Sequence, residues 1–262
     1  MRFMDVVGRL AFAAFLVAVV VGLAAAFGTR FHFWGYETGM FAIFPICLYA
    51  GAAGILLGAA WALAAFLLNA GTASGYAVVG LVGSLVIMAQ PLYTLFMVDI
   101  AHAIPPIHDI STDTEHPPEF VALLRDRAGA PNPPEYDGPK LVKTYDGTMH
   151  TTTSLQKKYY MDNYIRPFVN FYRPGDLFRR ALNAANAMGW TIVASIPTQN
   201  GGRIEATDTS FLFGTKDDIV IRVAPSGIGA RLDIRSKSRE GGTDFGANAA
   251  NIRAYMKKLA SG

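Results

Sequence analysis

Six charged residues alternate with apolar ones near the C-terminal end of the chain, and their types and spacing suit the binding of charged groups. They are Arg203, Glu205, Asp218, Arg222, Asp233 and Arg235. Residues two apart on a β-strand share one face, so three predicted strands would bring these side chains together. Because an arginine fork matches carboxylate and phosphate oxygens, we predict a recognition surface there. The alternative is a solvated face held by cross-strand ion pairs.

A second polar cluster surrounds two glycines just before the last predicted helix. It contains Ser236, Ser238, Arg239, Asp244 and Asn248. Backbone N–H groups at the start of a helix can bind an anion, which makes this cluster a second candidate site. In the alternative interpretation, Thr243 or Asp244 caps the helix and Asn248 forms local hydrogen bonds.

Other kinds of chemistry find little support in the residue pattern. The single cysteine, Cys47, lies in an apolar run, and the five histidines show no metal-ligand spacing. We therefore expect neither a metal nor a cofactor. The sequence contains no nucleophile elbow and no phosphate-binding loop. The remaining enzymatic hypothesis is a hydrolase or transferase with Asp217, Asp218 or Asp244 as its general base.

The elements that position these residues form a predicted α+β domain. Apolar periodicity predicts helices over residues 176–188 and from about 244 to 259. Between them, alternation and turn residues predict four strands, at residues 190–196, 203–208, 219–224 and 230–236. The predicted order is helix, four-stranded antiparallel sheet, helix, with both helices covering one face of the sheet.

The first hundred residues predict a membrane anchor. They contain three basic and three acidic residues, and three stretches, 10–27, 40–68 and 76–98, carry no charge. About 20 apolar residues suffice to cross a bilayer, so we predict three transmembrane helices within residues 1–100. The first stretch could instead be a cleaved signal peptide. Arg2 and Arg9 precede it, which predicts a cytoplasmic N-terminus and a C-terminal domain outside.

Charge divides the rest of the chain into two segments. Residues 101–139 are rich in proline and have seven acidic and two basic residues, which predicts an extended acidic connector. Residues 140–262 have 18 basic and 10 acidic residues, a net charge of +8. This basic domain favours membrane lipids and an acidic ligand or protein as partners, and we expect no nucleic acid.

A series of motifs resembles one known family. The motifs are IHDISTD at 107–113, GW at 189–190, GRIEA at 202–206, KDDIVIRV at 216–223, LDIRSKSR at 232–239 and TDFGANA at 243–249. Together they resemble the membrane-anchored bacterial members of the family called domain of unknown function 1499, over about residues 105–260. The resemblance implies a protein of the bacterial envelope and no known reaction. The chain departs from the family pattern at three positions. The resemblance implies a smaller residue in place of Glu240 and arginines in place of Gly242 and Asn251, so two cations are missing near the second cluster.

We therefore expect a protein of the bacterial inner membrane whose periplasmic domain is a non-enzymatic binding or assembly module. The alternatives are the hydrolase or transferase described above and an accessory subunit of a larger membrane complex. A flat charged sheet would favour binding, whereas a deep pocket around Asp217, Arg222, Arg235 and Asp244 would favour catalysis.

Overall fold

The computed structural model describes residues 2–68, 75–101, 105–162 and 164–261, of which residues 2 and 90–101 are described by their backbone alone. The chain forms two compact units. One comprises residues 1–100 with 211–214, and the other comprises residues 101–210 with 215–262.

Three helices dominate the first unit. They are α1 (Arg2–Arg30), α2 (Phe44–Leu67), which a π-helical turn (Thr38–Ile43) precedes, and α3 (Gly75–Ala101). Two described segments, Phe3–Arg30 and Thr38–Leu67, are long and apolar enough to cross a membrane, and the apolar segment Gly75–Ala89 is shorter. The structure therefore matches two of the three predicted spans. The third prediction, residues 76–98, extends beyond the side chains that the structure describes.

Small residues bring the helices of this unit into close contact. A Cβ atom added at Gly54 would lie 2.1 Å from Ser84 Oγ, and one at Gly58 would lie 2.6 Å from Leu81 Cβ. A Cβ atom at Gly80 would lie 2.6 Å from the backbone of Ala11. These glycines allow backbones to approach where larger side chains would separate them.

The second unit is an α+β domain. Its first part contains β1 (Asp109–Ser111), a 3₁₀ turn (Ala122–Leu124), β2 (Leu141–Lys143), β3 (Met149–Thr151), α4 (Thr152–Tyr159), β4 (Phe168–Asn170) and α5 (Pro174–Ala187). Its second part contains β5 (Thr191–Thr198), β6 (Gly201–Thr209), β7 (Lys216–Ser226), β8 (Gly229–Ser238) and α6 (Ala247–Ser261).

The main sheet has six strands rather than the predicted four. Its order is β1-β8-β7-β6-β5, and β4 also pairs with β8, with every pairing antiparallel. The predicted strands correspond to β5–β8. The two additional strands have three residues each, which is too short for apolar alternation to identify them.

Both long helices of this domain cover one face of the sheet, as predicted. Ile204, Ile221 and Ile234 on that face are fully buried, and they share a core with Leu177 of α5 and Ile252 of α6. The strand alternation therefore assigned the inward positions correctly. The last helix begins at Ala247, three residues later than expected.

Candidate functional site

The opposite face of the sheet is covered by residues that the sequence predicted as an extended connector. Asp109 of β1 lies opposite Lys237 of β8. Beside the 3₁₀ turn, Phe120 and Leu123 pack against Val220 in a second small core. Residues 101–139 have a net charge of −5 and residues 140–262 a net charge of +8, so an acidic segment lies on a basic domain.

Asp109 holds the first of the buried charge clusters on this face. Arg235 donates from Nε and Nη2 to the two Asp109 oxygens, both at 2.8 Å. Lys237 Nζ lies 3.4 Å from Asp109 Oδ2 and 3.0 Å from Asp137 Oδ2. Burial lowers the pKa of Lys237, although both carboxylates oppose that shift. The Arg235 guanidinium carbon lies 4.8 Å from the centre of the Phe120 ring, in a cation–π contact.

Asp218 forms a second buried cluster, in which the connector supplies one of two arginines. Arg127 Nη1 and Arg239 Nε both donate to Asp218 Oδ2 at 2.7 Å. Thr207 Oγ1 donates to Asp218 Oδ1 at 2.7 Å. The carboxylate is fully buried and each of its oxygens is bound, so it has no free oxygen for a ligand.

The Glu205 side chain binds the start of the 3₁₀ turn. Its carboxylate accepts hydrogen bonds from the backbone N–H groups of Val121, Ala122 and Leu123 at 2.9–3.1 Å. These are the N–H groups that a helical turn leaves unpaired at its start. Arg203 Nε lies 2.8 Å from Glu205 Oε1, so this carboxylate is compensated from two sides.

Asp233 and Asp113 share two arginines. Arg222 Nη2 lies 3.0 Å from Asp233 Oδ2 and 3.3 Å from Asp113 Oδ2, and Arg231 Nη2 lies 2.7 Å from Asp113 Oδ2. Burial tends to raise the pKa of Asp113, but hydrogen bonds from two backbone N–H groups and both arginines outweigh it, so the pKa falls below its usual value. Asp113 is therefore a carboxylate at neutral pH.

The six predicted surface residues share one face, but four of them are buried. Glu205, Asp218, Asp233 and Arg235 are each at most 2% exposed. The physical reason is that the acidic connector and neighbouring strands supply their partners. The side chains of Arg203 and Arg222 retain 31% and 36% exposure. The flat charged surface that the sequence predicted is thereby reduced to these two arginines.

Arg203 and Arg222 lie directly opposite each other on β6 and β7. Both line an open pocket of ≈470 Å³, which we call the arginine pocket. Its other lining residues are Glu115, His116, Pro117, Pro118, Glu119 and Val121. Arg222 directs Nη2 to Asp113, Asp233 and the His116 carbonyl. Within the described part of the chain, its Nε and Nη1 have no hydrogen-bond acceptor.

The second predicted cluster links the last helix to β8. Asp244 accepts hydrogen bonds from the backbone N–H groups of Gly246 and Asn248, at 2.8 and 3.0 Å. Asn248 Nδ2 donates to Ser238 Oγ at 2.8 Å, and Ser236 Oγ donates to Asn248 Oδ1 at 2.6 Å. The contacts of Asp244 match the capping alternative, whereas Asn248 binds β8 instead of forming only local hydrogen bonds. Arg239 does not join this cluster, because its side chain binds Asp218.

Asp217 and Asp244 are neighbouring carboxyl groups whose pKa values are both raised, mainly by burial. Ser238 Oγ donates to Asp217 Oδ1 at 2.6 Å. Burial, with a smaller contribution from the negative charge of Asp244, raises the pKa of Asp217 to about 6 despite that hydrogen bond. Asp217 and Asp244 lie on the helix side of the sheet, whereas Arg222 and Arg235 lie on the other side. The pocket that would have gathered all four residues is therefore not formed.

The connector residues that complete these clusters were not predicted from the sequence. They are His108, Asp109, Asp113, Arg127 and Asp137. The opposite net charges of the two segments were the available signal, but net charge cannot pair one aspartate with one arginine. Among the residues that the structure describes, no group of three His, Cys, Asp or Glu side chains could hold a metal ion.

Comparison with known proteins places the second unit in one family. A family model described as "Protein of unknown function (DUF1499)" matches residues 109–259. The matched segment begins at β1, so it includes the connector that covers the charged face. A search of the curated proteins finds no match.

Proposed function

The chain belongs to the DUF1499 family of proteins of unknown function, and we propose that it is a membrane-anchored module that binds an anionic ligand. In this proposal, the N-terminal helices hold the protein in a bacterial inner membrane. The family domain lies on the periplasmic side and binds the ligand in the arginine pocket.

Two apolar helices support the anchoring part of the proposal, and we propose α3 as the third span. Arg2 and Arg9 favour a cytoplasmic N-terminus. The orientation is testable with one exposed cysteine on α4, Ser154→Cys, in a Cys47→Ala background. A membrane-impermeant maleimide should label it in intact spheroplasts. Labelling that requires cell lysis would contradict the periplasmic location.

The pairing of Arg203 with Arg222 is the observation that carries the binding proposal. Like charges directly opposite each other on neighbouring strands repel. Glu205 and Asp233 compensate the two arginines within the fold. Each arginine side chain is nevertheless about one-third exposed, at 31% and 36%, in the same pocket. A bound oxyanion would relieve the repulsion between the two arginines and accept hydrogen bonds from their remaining N–H groups.

The pocket walls indicate the character of the ligand. Pro117, Pro118 and Val121 provide an apolar wall, whereas Glu115 and Glu119 add negative charge. A ligand with one negative charge and an apolar body fits this combination better than a polyanion, which the glutamates would repel. We therefore propose a singly charged phosphate-containing amphiphile as the ligand class.

Titration of the full chain in a neutral detergent tests this proposal. The probe is dihexanoyl phosphatidylglycerol, and dihexanoyl phosphatidylcholine is its zwitterionic control. Arg203→Gln should weaken phosphatidylglycerol binding by about tenfold or more, because a charge-assisted hydrogen bond is lost. Among the described residues, Arg203 forms its ion pair with Glu205, whereas Arg222 contacts Asp113, Asp233 and the His116 carbonyl. This variant therefore leaves the contacts of Arg222 intact.

Arg179→Gln is the matched control, because Arg179 is an exposed arginine whose partner Asp176 lies on the same helix. It should bind the probe as the unmodified chain does. Equal affinity of the Arg203→Gln variant and the unmodified chain would overturn the proposal. Equal affinity for the two lipids would also overturn it.

A second candidate function is the hydrolase or transferase with an aspartate base. The raised pKa of Asp217 and its hydrogen bond from Ser238 favour it, since general bases work best near the operating pH. Against it, the side chain of Ser238 lies within the contact between β8 and the last helix. If Asp217 is a base, Asp217→Asn should abolish activity on any substrate found, without loss of stability.

A further inference from the structure

A second pocket, of ≈320 Å³, lies beside the β2–β3 hairpin. Its lining includes His108, Asp109, Asp137, Lys140, Lys143 and Val142. We call it the histidine pocket. It shares no lining residue with the arginine pocket, so a ligand here would be independent of the proposed function above.

His108 is a buried side chain whose bonding is incomplete. Its Nδ1 lies 3.3 Å from the Gly242 carbonyl oxygen, which can only accept a hydrogen bond. Its Nε2 lies 2.9 Å from Asp137 Oδ2, with side-chain exposures of 9% and 10%. His108 Nε2 and Asp137 Oδ2 are both buried, and neither atom has an aligned hydrogen bond in the described structure. Buried polar atoms without such a bond are rare in folded proteins.

Asp137 is an anion held by cations on the floor of the pocket. Burial tends to raise its pKa, but His108 and Lys237 outweigh burial and lower the pKa well below the usual range. Since Asp137 is charged, the close contact with Nε2 requires a proton on that nitrogen.

The charges around the pocket leave an excess of cations. On the floor, Asp109 and Asp137 are already balanced by Arg235 and Lys237. Lys140 and Lys143 are exposed at the rim, and neither forms an ion pair with any residue that the structure describes. The close approach of Lys237 Nζ to Asp137 Oδ2, at 3.0 Å, opposes a metal ion there.

We infer that the histidine pocket is a binding site for a small phosphate monoester. A phosphate carries about −1.5 to −2 charges at neutral pH, which matches the two exposed lysines beside His108. Lysines act as compact point charges towards phosphate. The volume of ≈320 Å³ is at the lower end of small-molecule sites. Val142 adds a short apolar wall for the organic part of the ligand.

Calorimetric titration of the full chain in neutral detergent tests this inference. The probes are sn-glycerol 3-phosphate and inorganic phosphate, with succinate as a dicarboxylate of similar charge. Lys140→Gln/Lys143→Gln should weaken glycerol 3-phosphate binding by about tenfold or more. Both side chains are exposed and form no ion pair with any residue that the structure describes, so the variant should fold. His108→Gln serves as a second variant, with its thermal unfolding measured alongside.

Two control variants separate this site from others. Lys157→Gln/Lys158→Gln removes two exposed lysines from α4 and should leave glycerol 3-phosphate binding unchanged. Arg203→Gln should also leave it unchanged, so failure here and failure of the arginine pocket are distinguishable.

Three results would overturn the inference. The first is no binding of either phosphate probe up to about 10 mM, a concentration that detects even millimolar affinity. The second is unchanged glycerol 3-phosphate affinity in the Lys140→Gln/Lys143→Gln variant. The third is an equal loss of affinity in the Lys157→Gln/Lys158→Gln variant. Succinate binding as tightly as glycerol 3-phosphate would overturn the phosphate class.

Discussion

The two faces of the main sheet are both covered, but by different chemistry. On the helix side, Ile204, Ile221 and Ile234 pack under α5 and α6. On the connector side, Asp109 and Arg127 form buried ion pairs with residues of β7 and β8. Strand alternation identifies which residues share a face, but it does not say what covers a charged face.

This difference has an energetic consequence. Apolar burial is non-directional and scales with area. Truncation of one side chain on the helix face therefore removes only part of the total hydrophobic stabilisation. A buried ion pair adds little net stability, because desolvation offsets its attraction. Removal of one partner, however, leaves an uncompensated charge. The connector face should therefore be the more sensitive of the two to a single polar substitution.

The largest expected effect is on the connector face. Asp109→Asn keeps the size of the side chain but leaves Arg235 and Lys237 buried without their shared counter-charge. The free energy of unfolding should fall by about 3–5 kcal/mol. Urea denaturation of the full chain in detergent, followed by tryptophan fluorescence, measures it. Asp176→Asn, at an exposed pair, should show no measurable change, and equal effects in the two variants would contradict the comparison.

A smaller effect is expected on the helix face. Ile221→Ala removes a fully buried side chain from the centre of the apolar core. The loss should be about 2–4 kcal/mol, from lost transfer energy and the cavity left behind. Because no charge is involved, added salt should leave this loss unchanged. A loss that varies with salt would contradict the apolar nature of this face.

The smallest expected effect is a gain, and it depends on pH. The pKa of Asp217 is about 6 in the fold, above its ordinary value of 3.8. Protonated Asp217 therefore favours the folded state, and this stabilisation is lost as pH rises from about 4 to about 6. Asp217→Asn should stabilise the domain by about 1–2 kcal/mol at pH values near 8 and lose that gain below pH values near 4.

Thermal unfolding across this pH range checks the sign. The amide oxygen of the Asp217→Asn variant can still accept the hydrogen bond from Ser238. Destabilisation by this variant at every pH would contradict the raised pKa.

The parts of the fold set by local pattern were predictable from the sequence. The four long strands, the two helices that cover them and the inward positions follow from apolar periodicity and turn residues. β1 and β4 were not predictable, because three residues carry no periodic signal and their pairing with β8 is set by tertiary contacts. The connector was misjudged for a related reason. Its prolines favour extended backbone, and an extended segment can equally be a stalk or the cover of a sheet.

The candidate site divides in the same way. The sequence placed Arg203 and Arg222 on one face, because their positions follow from strand alternation. It did not reveal the contact between His108 and Asp137, which are 29 positions apart in the chain, because nothing in the sequence pairs the two residues. Side-chain pairs of this kind depend on the packing of irregular segments, which local propensity does not encode.

The central claim is that the connector is a folded part of the family domain. Hydrogen exchange of the full chain in detergent tests it at the backbone N–H groups of Val121, Ala122 and Leu123, which donate to buried Glu205. They should exchange as slowly as the core strands β7 and β8, and Glu205→Gln should accelerate them selectively. Rapid exchange in the unmodified chain, at the rate of an open loop, would contradict the account.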